Sequence, residues 1–231
     1  MRSKNDLLFA GIMLCFFLPF FLFDPVFEAY YQFNLEHGLG MSFIKFAILA
    51  TLGEVIGLRI KTGRYHQQGF GLIPRALVWG FLGMTIYMAF AIFTAGTPVL
   101  LEKVGLENAS AVLHAGLGWR KVLVSFSIST ALNLFYAPVL MTFHKITDMH
   151  ILENGGTLQG FFSPVDFARI FKEINWEVQW NFVFKRTIPL FWIPAQTITF
   201  LLPEEFRVLF AAFLGIVLGV LLAIAALRQA D

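Results

Sequence analysis

Six long apolar stretches, separated by shorter polar links, dominate the sequence. Each approaches the roughly 20 apolar residues that an α-helix needs to cross the hydrocarbon core of a bilayer, where an unpaired backbone group has no water to bond. The stretches lie at residues 7–23 (extending toward 32), 41–58, 75–98, 122–143, 182–202 and 206–227. The pattern therefore predicts an all-α fold, a polytopic transmembrane helical bundle of about six helices.

Prolines interrupt the last two stretches, which contain the segment "LFWIPAQTITFLLPEEF". Proline lacks the backbone donor that an α-helix requires in its interior, so each one marks a position where a helix bends or stops. Residues 182–227 are therefore expected to form either two membrane helices or one long broken helix. The second alternative reduces the expected number of membrane helices to five.

The longest polar link, residues 144–181, has a pattern of its own. Ser163 followed by Pro164 is typical of a helix start, with serine as the N-cap and proline at the first helical position. Apolar residues follow near helical spacing and are interleaved with charges. This pattern predicts an amphipathic helix that lies in the membrane interface.

Composition strengthens the membrane prediction. The chain is 58% hydrophobic and only 14% charged, and its mean hydropathy is +0.72. A soluble domain of this length needs more polar side chains to cover its core. The net charge of +2 is mild and is spread over the links, which argues against a nucleic-acid partner. The single cysteine, Cys15, excludes an internal disulfide and any cysteine metal cluster.

Lysine and arginine are unevenly distributed among the links. Arg2 and Lys4 precede the first stretch, and residues 59–75 carry four basic side chains, whereas residues 24–40 carry none. Because basic residues accumulate on the cytoplasmic side of membrane proteins, the N-terminus is predicted to be cytoplasmic. The membrane is expected to be the plasma (inner) membrane if the protein is bacterial, or an organelle membrane if it is eukaryotic.

Glu54 stands within the second apolar stretch, and an ionisable group at that depth usually faces protein or a water-filled cavity. It could line a pore or handle protons, or it could be a structural carboxylate that is hydrogen-bonded between helices. The neighbouring glycines, Gly53 and Gly57, form a small-xxx-small pair that lets another helix approach closely. Gly215 and Gly219 repeat this spacing in the last stretch, as a packing face or as a dimer contact.

Two further stretches carry polar residues at helical spacing. The fourth stretch aligns Ser125 with Ser129, Asn133 and Tyr136, and the fifth aligns Lys185, Trp192, Gln196 and Thr199. Together with Glu54, these side chains could line an aqueous path. They could equally form hydrogen bonds that hold neighbouring helices together.

Catalytic signatures are absent from the sequence: it has no glycine-rich phosphate loop, no nucleophile elbow and no zinc-protease motif. His144, Asp148 and His150 are a weak candidate for a metal site, because the cluster lacks a fourth ligand. We therefore expect no cofactor and no enzymatic activity. A membrane-embedded enzyme that uses these three side chains on lipid-like substrates is the less favoured alternative.

The C-terminal part of the chain contains an ordered series of residues that resembles a known signature. The series consists of Trp192, Gln196, Phe200, Pro203 and Arg207. It is similar to the terminal motif of the Mpv-seventeen and peroxisomal membrane protein (Mpv/PMP) family of integral membrane proteins. Gly53 and Glu54 resemble the Gly-Asp of the family's first helix. Thr199 stands where the family has asparagine, and Pro194 lies two residues after the tryptophan instead of next to it.

The resemblance implies a single membrane domain over residues 1–231, with an Mpv/PMP-like bundle at 41–227 and an additional N-terminal helix within 1–40. It also implies a small-solute channel or transporter, or a modulator of membrane permeability, and Glu54, Asn133 and Gln196 are the expected lining. The alternative is a structural or assembly protein without transport activity. The expected partners are the lipid bilayer, a small solute and, in a homo-oligomer, further copies of the same chain.

Overall fold

The computed structural model describes residues 4–228, with side chains up to residue 221 and at 224, and every regular element among them is helical. Arg2, one of the residues behind the predicted orientation, lies outside this range. The elements in chain order are α1 Lys4–Phe17, α2 Pro19–Leu22, α3 Asp24–Glu36, α4 Gly38–Thr62, α5 Leu72–Lys103, α6 Ala109–Val112, α7 Trp119–Phe135, α8 Ala137–Glu153, α9 Leu158–Phe161, α10 Phe167–Glu173, α11 Trp176–Val178, a π-helix Gln179–Trp192, α12 Ile193–Leu201 and α13 Glu204–Arg228.

The chain divides into two compact units, residues 1–41 and 42–231. In the first unit, the expected membrane helix at 7–23 is instead a series of short helices. Prolines explain the breaks: Pro19 stands at the start of α2, and Phe23 is extended (φ −124°, ψ 103°) immediately before α3, which has Pro25 in its first turn. None of these three helices alone reaches the length of a membrane span.

In the second unit, α4 and α5 are each long and apolar enough to cross a membrane. α7 and α8 pass the same test when they are taken together as one span that is bent by 44°. The bend lies at Tyr136 and is followed by Pro138 in the first turn of α8, which removes a backbone donor there. The described residues therefore contain two candidate membrane spans, or three with the bent pair, out of about six that the sequence predicts.

The segment 182–202 is not a uniform α-helix. Residues 179–192 form a π-helix, which contains Pro189, and the α-helical geometry resumes at Ile193. Leu202 is extended (φ −74°, ψ 156°), and Pro203 separates α12 from α13. The last two apolar stretches are thus broken at Leu202, where the "LLP" sequence predicts a break.

The long link does contain a helix, α10, but this helix begins later than expected. Asp166, and not Ser163, caps α10, because its side chain accepts a hydrogen bond of 3.0 Å from the Arg169 amide. Ser163 instead donates from its hydroxyl to the carbonyl of Gly160 at 2.6 Å. Pro164 therefore lies in a connecting turn.

Glycines permit close backbone contacts between the long helices. A β-carbon built on Gly83 of α5 would lie 2.6 Å from both the Phe46 β-carbon and the Ser42 carbonyl oxygen of α4. On another face of α4, a β-carbon on Gly53 would lie 2.9 Å from the Cα of Ile216 in α13. α4 therefore approaches the backbones of α5 and α13 closely at these glycines.

The four glycines predicted to form packing faces lie opposite each other in the structure. A β-carbon on Gly219 would lie 3.2 Å from the carbonyl oxygen of Gly53, and one on Gly57 would lie 3.7 Å from the carbonyl oxygen of Gly219. Gly215 lies next to Ala50, at 3.9 Å. The two small-xxx-small pairs are thus used within one chain, between α4 and α13.

The turn before α5 is fitted just as closely against the end of α8. Gly71 adopts a φ of +72°, which favours glycine, and a β-carbon there would lie 2.5 Å from the Ile151 side chain. Gly156 has a φ of +65°, and a β-carbon there would lie 2.5 Å from the Gly69 carbonyl oxygen. The turn at 69–71 is therefore locked against the residues that follow α8.

We predict that Gly83→Ala destabilises the protein by about 1–3 kcal/mol, because the added methyl group overpacks the contact between α4 and α5. Gly96→Ala is the matched control in the same helix, because a β-carbon there meets nothing within 4 Å. Thermal unfolding of both variants in detergent micelles measures the difference. Equal unfolding midpoints for the two variants would contradict the close contact.

Candidate functional site

Glu54 of α4 is surrounded by polar side chains from two other helices. The Arg75 Nη1 of α5 lies 2.5 Å from Glu54 Oε2, and the Trp79 indole Nε1 donates to Glu54 Oε1 at 2.7 Å. The His144 Nε2 of α8 lies 3.2 Å from the same Oε1. Both oxygens of the carboxylate are therefore engaged.

Arg75 extends this arrangement to a second carboxylate. Its Nη2 is in close ion-pair contact with Asp148 of α8, and its Nε donates to the Phe70 carbonyl at 2.6 Å. The guanidinium also lies over the Phe70 ring, 4.7 Å from the ring centre. Only 9% of the Arg75 side chain is exposed, so the guanidinium is a buried charge that is held by its partners.

We call Glu54, Arg75, Trp79, His144 and Asp148 the charged network. Two of its pairs follow from helical spacing, because Arg75 and Trp79 are four residues apart on α5, and His144 and Asp148 are four residues apart on α8. The rings of Trp79 and His144 also pack together, with their centres 4.4 Å apart. Three helices therefore present one face each to a common polar centre.

The charged network lies toward the end of the helices that carries the basic link between α4 and α5. Arg75 is the fourth residue of α5. Glu54 lies eight residues before the end of α4 at Thr62, which is about 12 Å along the helix. At the edge of the network, the Lys145 Nζ lies 4.0 Å from Asp148 Oδ2, and 44% of its side chain is exposed.

The predicted metal candidates separate in the structure. His144 and Asp148 belong to the charged network, whereas His150 lies in another polar group, with its Nε2 3.2 Å from the Phe161 carbonyl oxygen and its Nδ1 3.3 Å from the Asn154 amide. Within residues 4–228, no three His, Cys, Asp or Glu side chains are arranged to hold a metal ion.

The polar stripe on α7 faces α12. Ser129 donates from its hydroxyl to the Ile193 carbonyl at 2.7 Å, and the Asn133 amide donates to the Ser129 carbonyl at 2.9 Å. Both side chains are buried. Tyr136 points elsewhere, because its hydroxyl lies 2.7 Å from that of Thr85 on α5. The hydrogen bond from Ser129 thus joins two helices, which is the alternative role that the sequence left open for the stripe.

The stripe predicted on the fifth stretch is only partly formed. Gln196 and Thr199 are buried, and Thr199 donates to the Ala195 carbonyl of its own helix at 3.1 Å. Lys185 is instead exposed, with its Nζ 5.8 Å from the centre of the Trp180 ring. The π-helix explains this correction: its i→i+5 hydrogen bonds put more residues in each turn, so Lys185 no longer shares a face with Trp192.

Two buried polar atoms on this segment, the Nε1 of Trp192 and the Oε1 of Gln196, have no hydrogen-bond partner among the described residues. Trp192 packs against the apolar cluster that is formed by Ala137, Ile188 and Ile193.

The remaining residues of the C-terminal series have structural contacts. Phe200 is fully buried and packs its ring against Phe90 of α5 at 5.0 Å between the ring centres. Pro203 lies at the break between α12 and α13. Arg207 donates from its Nε to the Leu202 carbonyl at 3.1 Å, which satisfies a carbonyl group at that break.

No family model, curated protein or solved structure matches this chain. The resemblance to the Mpv/PMP family therefore remains a prediction from the residues alone.

We predict that Arg75→Gln lowers the free energy of unfolding by about 3–5 kcal/mol, because it leaves Glu54 and Asp148, each with only 19% of its side chain exposed, without their shared counter-charge. In the double variant Glu54→Gln/Arg75→Gln one of these carboxylates is neutral, so part of the loss should be recovered. Chemical unfolding of the two single variants and the double variant in detergent measures the coupling, which we expect to be about 1–3 kcal/mol. Additive losses would show that the pair is not coupled.

Proposed function

We propose that the protein is an integral membrane protein that provides a path for a small solute, and that the charged network is the polar constriction of this path. One observation carries the proposal: charged side chains from α4, α5 and α8 converge on Glu54, and these helices belong to the candidate membrane spans. Ionisable groups inside membrane segments are costly, and they commonly mark the pathways of ions and solutes.

The charges of the network fit this role better than a purely structural role. Two carboxylates face a single buried guanidinium, so the centre carries an excess of negative charge when His144 is neutral. A group of helices that needed only a polar fastening could use neutral amides or hydroxyls at a lower desolvation cost. A site with unbalanced charge is instead suited to the reversible binding of a solute.

The resemblance to the Mpv/PMP family supports the same proposal, because that family is described as channel-forming. In this proposal about six crossings enclose the path, with α4, α5 and the bent pair α7–α8 nearest to the charged network. Glu54 and His144 line the constriction. Asn133 and Gln196 lie in the neighbouring contact between α7 and α12.

We expect the purified protein in liposomes to accelerate the uptake of at least one probe among glycerol, sucrose and potassium glutamate, followed by light scattering after an osmotic step. Glu54→Gln and His144→Gln should each change the uptake rate by about tenfold, which corresponds to about 1.4 kcal/mol in the barrier.

Lys61→Gln is the matched control for this experiment, because it also removes one charge but lies at the exposed end of α4. Its uptake rate should equal that of the unmodified protein. Folded Glu54 and His144 variants with unchanged uptake would remove the charged network from the path. No uptake of any probe by the unmodified protein would refute the proposed path for these solutes.

A structural or assembly protein is the second candidate, and the hydrogen bond from Ser129 to the Ile193 carbonyl favours it. This bond joins α7 to α12 at a buried position, where the Ile193 carbonyl also accepts a hydrogen bond from the Thr197 hydroxyl at 2.7 Å. In this function the polar side chains hold the bundle in one arrangement, and the surface of the bundle contacts other proteins or lipids.

For the second candidate we predict that Ser129→Ala lowers stability by about 1 kcal/mol, through loss of the bond between the helices. Ser127→Ala is the matched control on the same helix, because its hydroxyl bonds to the Leu123 carbonyl within α7, at 2.9 Å. Thermal unfolding in detergent compares the two variants. Equal midpoints would show that the bond between α7 and α12 does not hold the bundle together.

A further inference from the structure

One side of the π-helix is exposed. Its exposed residues lie at 180–182, 185–186 and 189–190. Because residues four or five apart lie on successive turns of a π-helix, these positions share a single surface, which we call the outward face. The opposite side packs within the bundle, where Ile188 is buried in a cluster with Ala137 of α8.

The outward face carries large apolar side chains. The exposed fraction is 55% for Trp180 and 76% for Leu190, and Phe182 is exposed as well. A contiguous exposed apolar surface marks a contact with a protein or a membrane. In a chain whose helices α4 and α5 are long and apolar enough to cross a bilayer, this surface is suited to contact lipid.

Two adjacent cations, Lys185 and Arg186, interrupt the apolar side chains of the outward face. Both are exposed, and neither forms an ion pair among the residues that the structure describes. Glu177, the nearest acidic residue along the chain, is exposed as well and is not paired with them. By contrast, Arg169 of α10 is paired with Glu153, at 2.6 Å between Nη2 and Oε2. Lys185 and Arg186 therefore lack a counter-charge from the described part of the chain.

The ammonium group of Lys185 is turned toward the start of the π-helix. Its Nζ lies 5.8 Å from the centre of the Trp180 ring, which stands five residues earlier. Long basic side chains lay their stems along apolar surface and extend the charge toward the lipid headgroups, and tryptophan favours the same level of the membrane. The positions of Lys185 and Trp180 therefore indicate the headgroup level at this end of the π-helix.

This end of the π-helix lies at the basic end of the bundle. Trp176, which precedes the π-helix, packs against a cluster that includes Ile146 of α8. Asp148, one residue pair further along α8, contacts Arg75 at the start of α5, next to the basic link between α4 and α5. The distribution of lysine and arginine predicts that this side is cytoplasmic, and the cytoplasmic leaflet is the one that is rich in anionic phospholipids.

We propose that Lys185 and Arg186 bind the headgroup phosphate of an anionic phospholipid, whose acyl chains lie along the outward face. A guanidinium can donate two parallel hydrogen bonds to phosphate oxygens, and the ammonium adds a second positive charge. Leu190 lies further along the π-helix, away from the headgroup level, where acyl chains pass. A zwitterionic lipid has no net negative charge to balance the two cations, so the site selects for anionic lipid.

This inference rests on the membrane location in the proposed function, but it does not require the passage of a solute. The full-length protein in detergent micelles is titrated with phosphatidylglycerol and with phosphatidylcholine of the same acyl chains, and native mass spectrometry counts the bound lipids. We expect the first phosphatidylglycerol to bind about tenfold more tightly than the first phosphatidylcholine, because two basic side chains contact its headgroup.

The double variant Lys185→Gln/Arg186→Gln should reduce this preference to about twofold or less. Lys61→Gln/Arg64→Gln is the matched control, because it removes the same two kinds of charge from exposed positions of the basic link, and it should keep the preference. The exchange variant Lys185→Arg/Arg186→Lys keeps both charges and should also keep the preference. All four positions are exposed, and thermal unfolding midpoints check that each variant is folded.

A photoactivatable phosphatidylglycerol in nanodiscs tests the site in the unmodified protein. After digestion, the cross-links should map to residues 179–192. An excess of inorganic phosphate should not remove them, because a free ion makes no contact with the apolar side chains of the outward face. Cross-links confined to other segments, or displaced by inorganic phosphate, would overturn the lipid site.

The proposal is also overturned if the unmodified protein binds both lipids equally, or if Lys185→Gln/Arg186→Gln keeps the preference. An equal loss in the control variant would overturn it as well, because the preference would then come from diffuse attraction to the basic end of the bundle. A lipid preference without solute uptake in liposomes would keep this site and remove the proposed path. Solute uptake without a lipid preference would do the reverse.

Discussion

The structure of the second unit depends on the three-way contact of one guanidinium. Arg75 points its donors in three directions, toward Glu54 of α4, toward Asp148 of α8 and toward the Phe70 carbonyl in the turn before its own helix. A planar fork can hold several acceptors at once, whereas a lysine ammonium is a single flexible point charge. Arg75 thereby fixes the relative positions of α4, α5 and α8 and of the turn that connects the first two.

The polar residues of the bundle fall into two groups, which are held by different kinds of interaction. The charged network is held by ion pairs, and moving any one member exposes a buried charge. The group between α7 and α12 is neutral, with Ser129 and Asn133 bonding mainly to carbonyl groups of the backbone. The first group concentrates several charges at one point, whereas the second mainly sets the distance between two helices.

The sequence predicted the all-helical fold and the contact of Glu54 with other helices, because long apolar runs and an isolated carboxylate within one are direct consequences of the bilayer as a solvent. It did not predict Arg75 as the partner of Glu54. Arg75 lies at the edge of the basic link, where it was interpreted as a marker of membrane orientation. The spacing of Arg75 with Trp79, and of His144 with Asp148, was the available signal, since each pair shares a helix face.

Other differences arise where the chain departs from regular α-helical geometry. The predicted alignment of Lys185 with Trp192 assumed 3.6 residues per turn, whereas this segment is π-helical. The first apolar stretch was expected to form one helix, although prolines divide it into shorter helices. Hydrophobic pattern reports which residues avoid water, but it does not report how many residues each turn contains.

The contact between the glycines of α4 and α13 has a consequence for how copies of this chain could associate. Gly53 and Gly219 bring two backbones together inside one molecule, so this small-residue face is already covered and is closed to a second copy. A second copy would therefore have to use another face of the bundle, such as one with exposed bulky side chains like Phe81 of α5 and Phe126 of α7. Such side chains keep the two backbones further apart and fix their register less tightly, so assembly would depend more on the surrounding lipid than on a shared sequence motif.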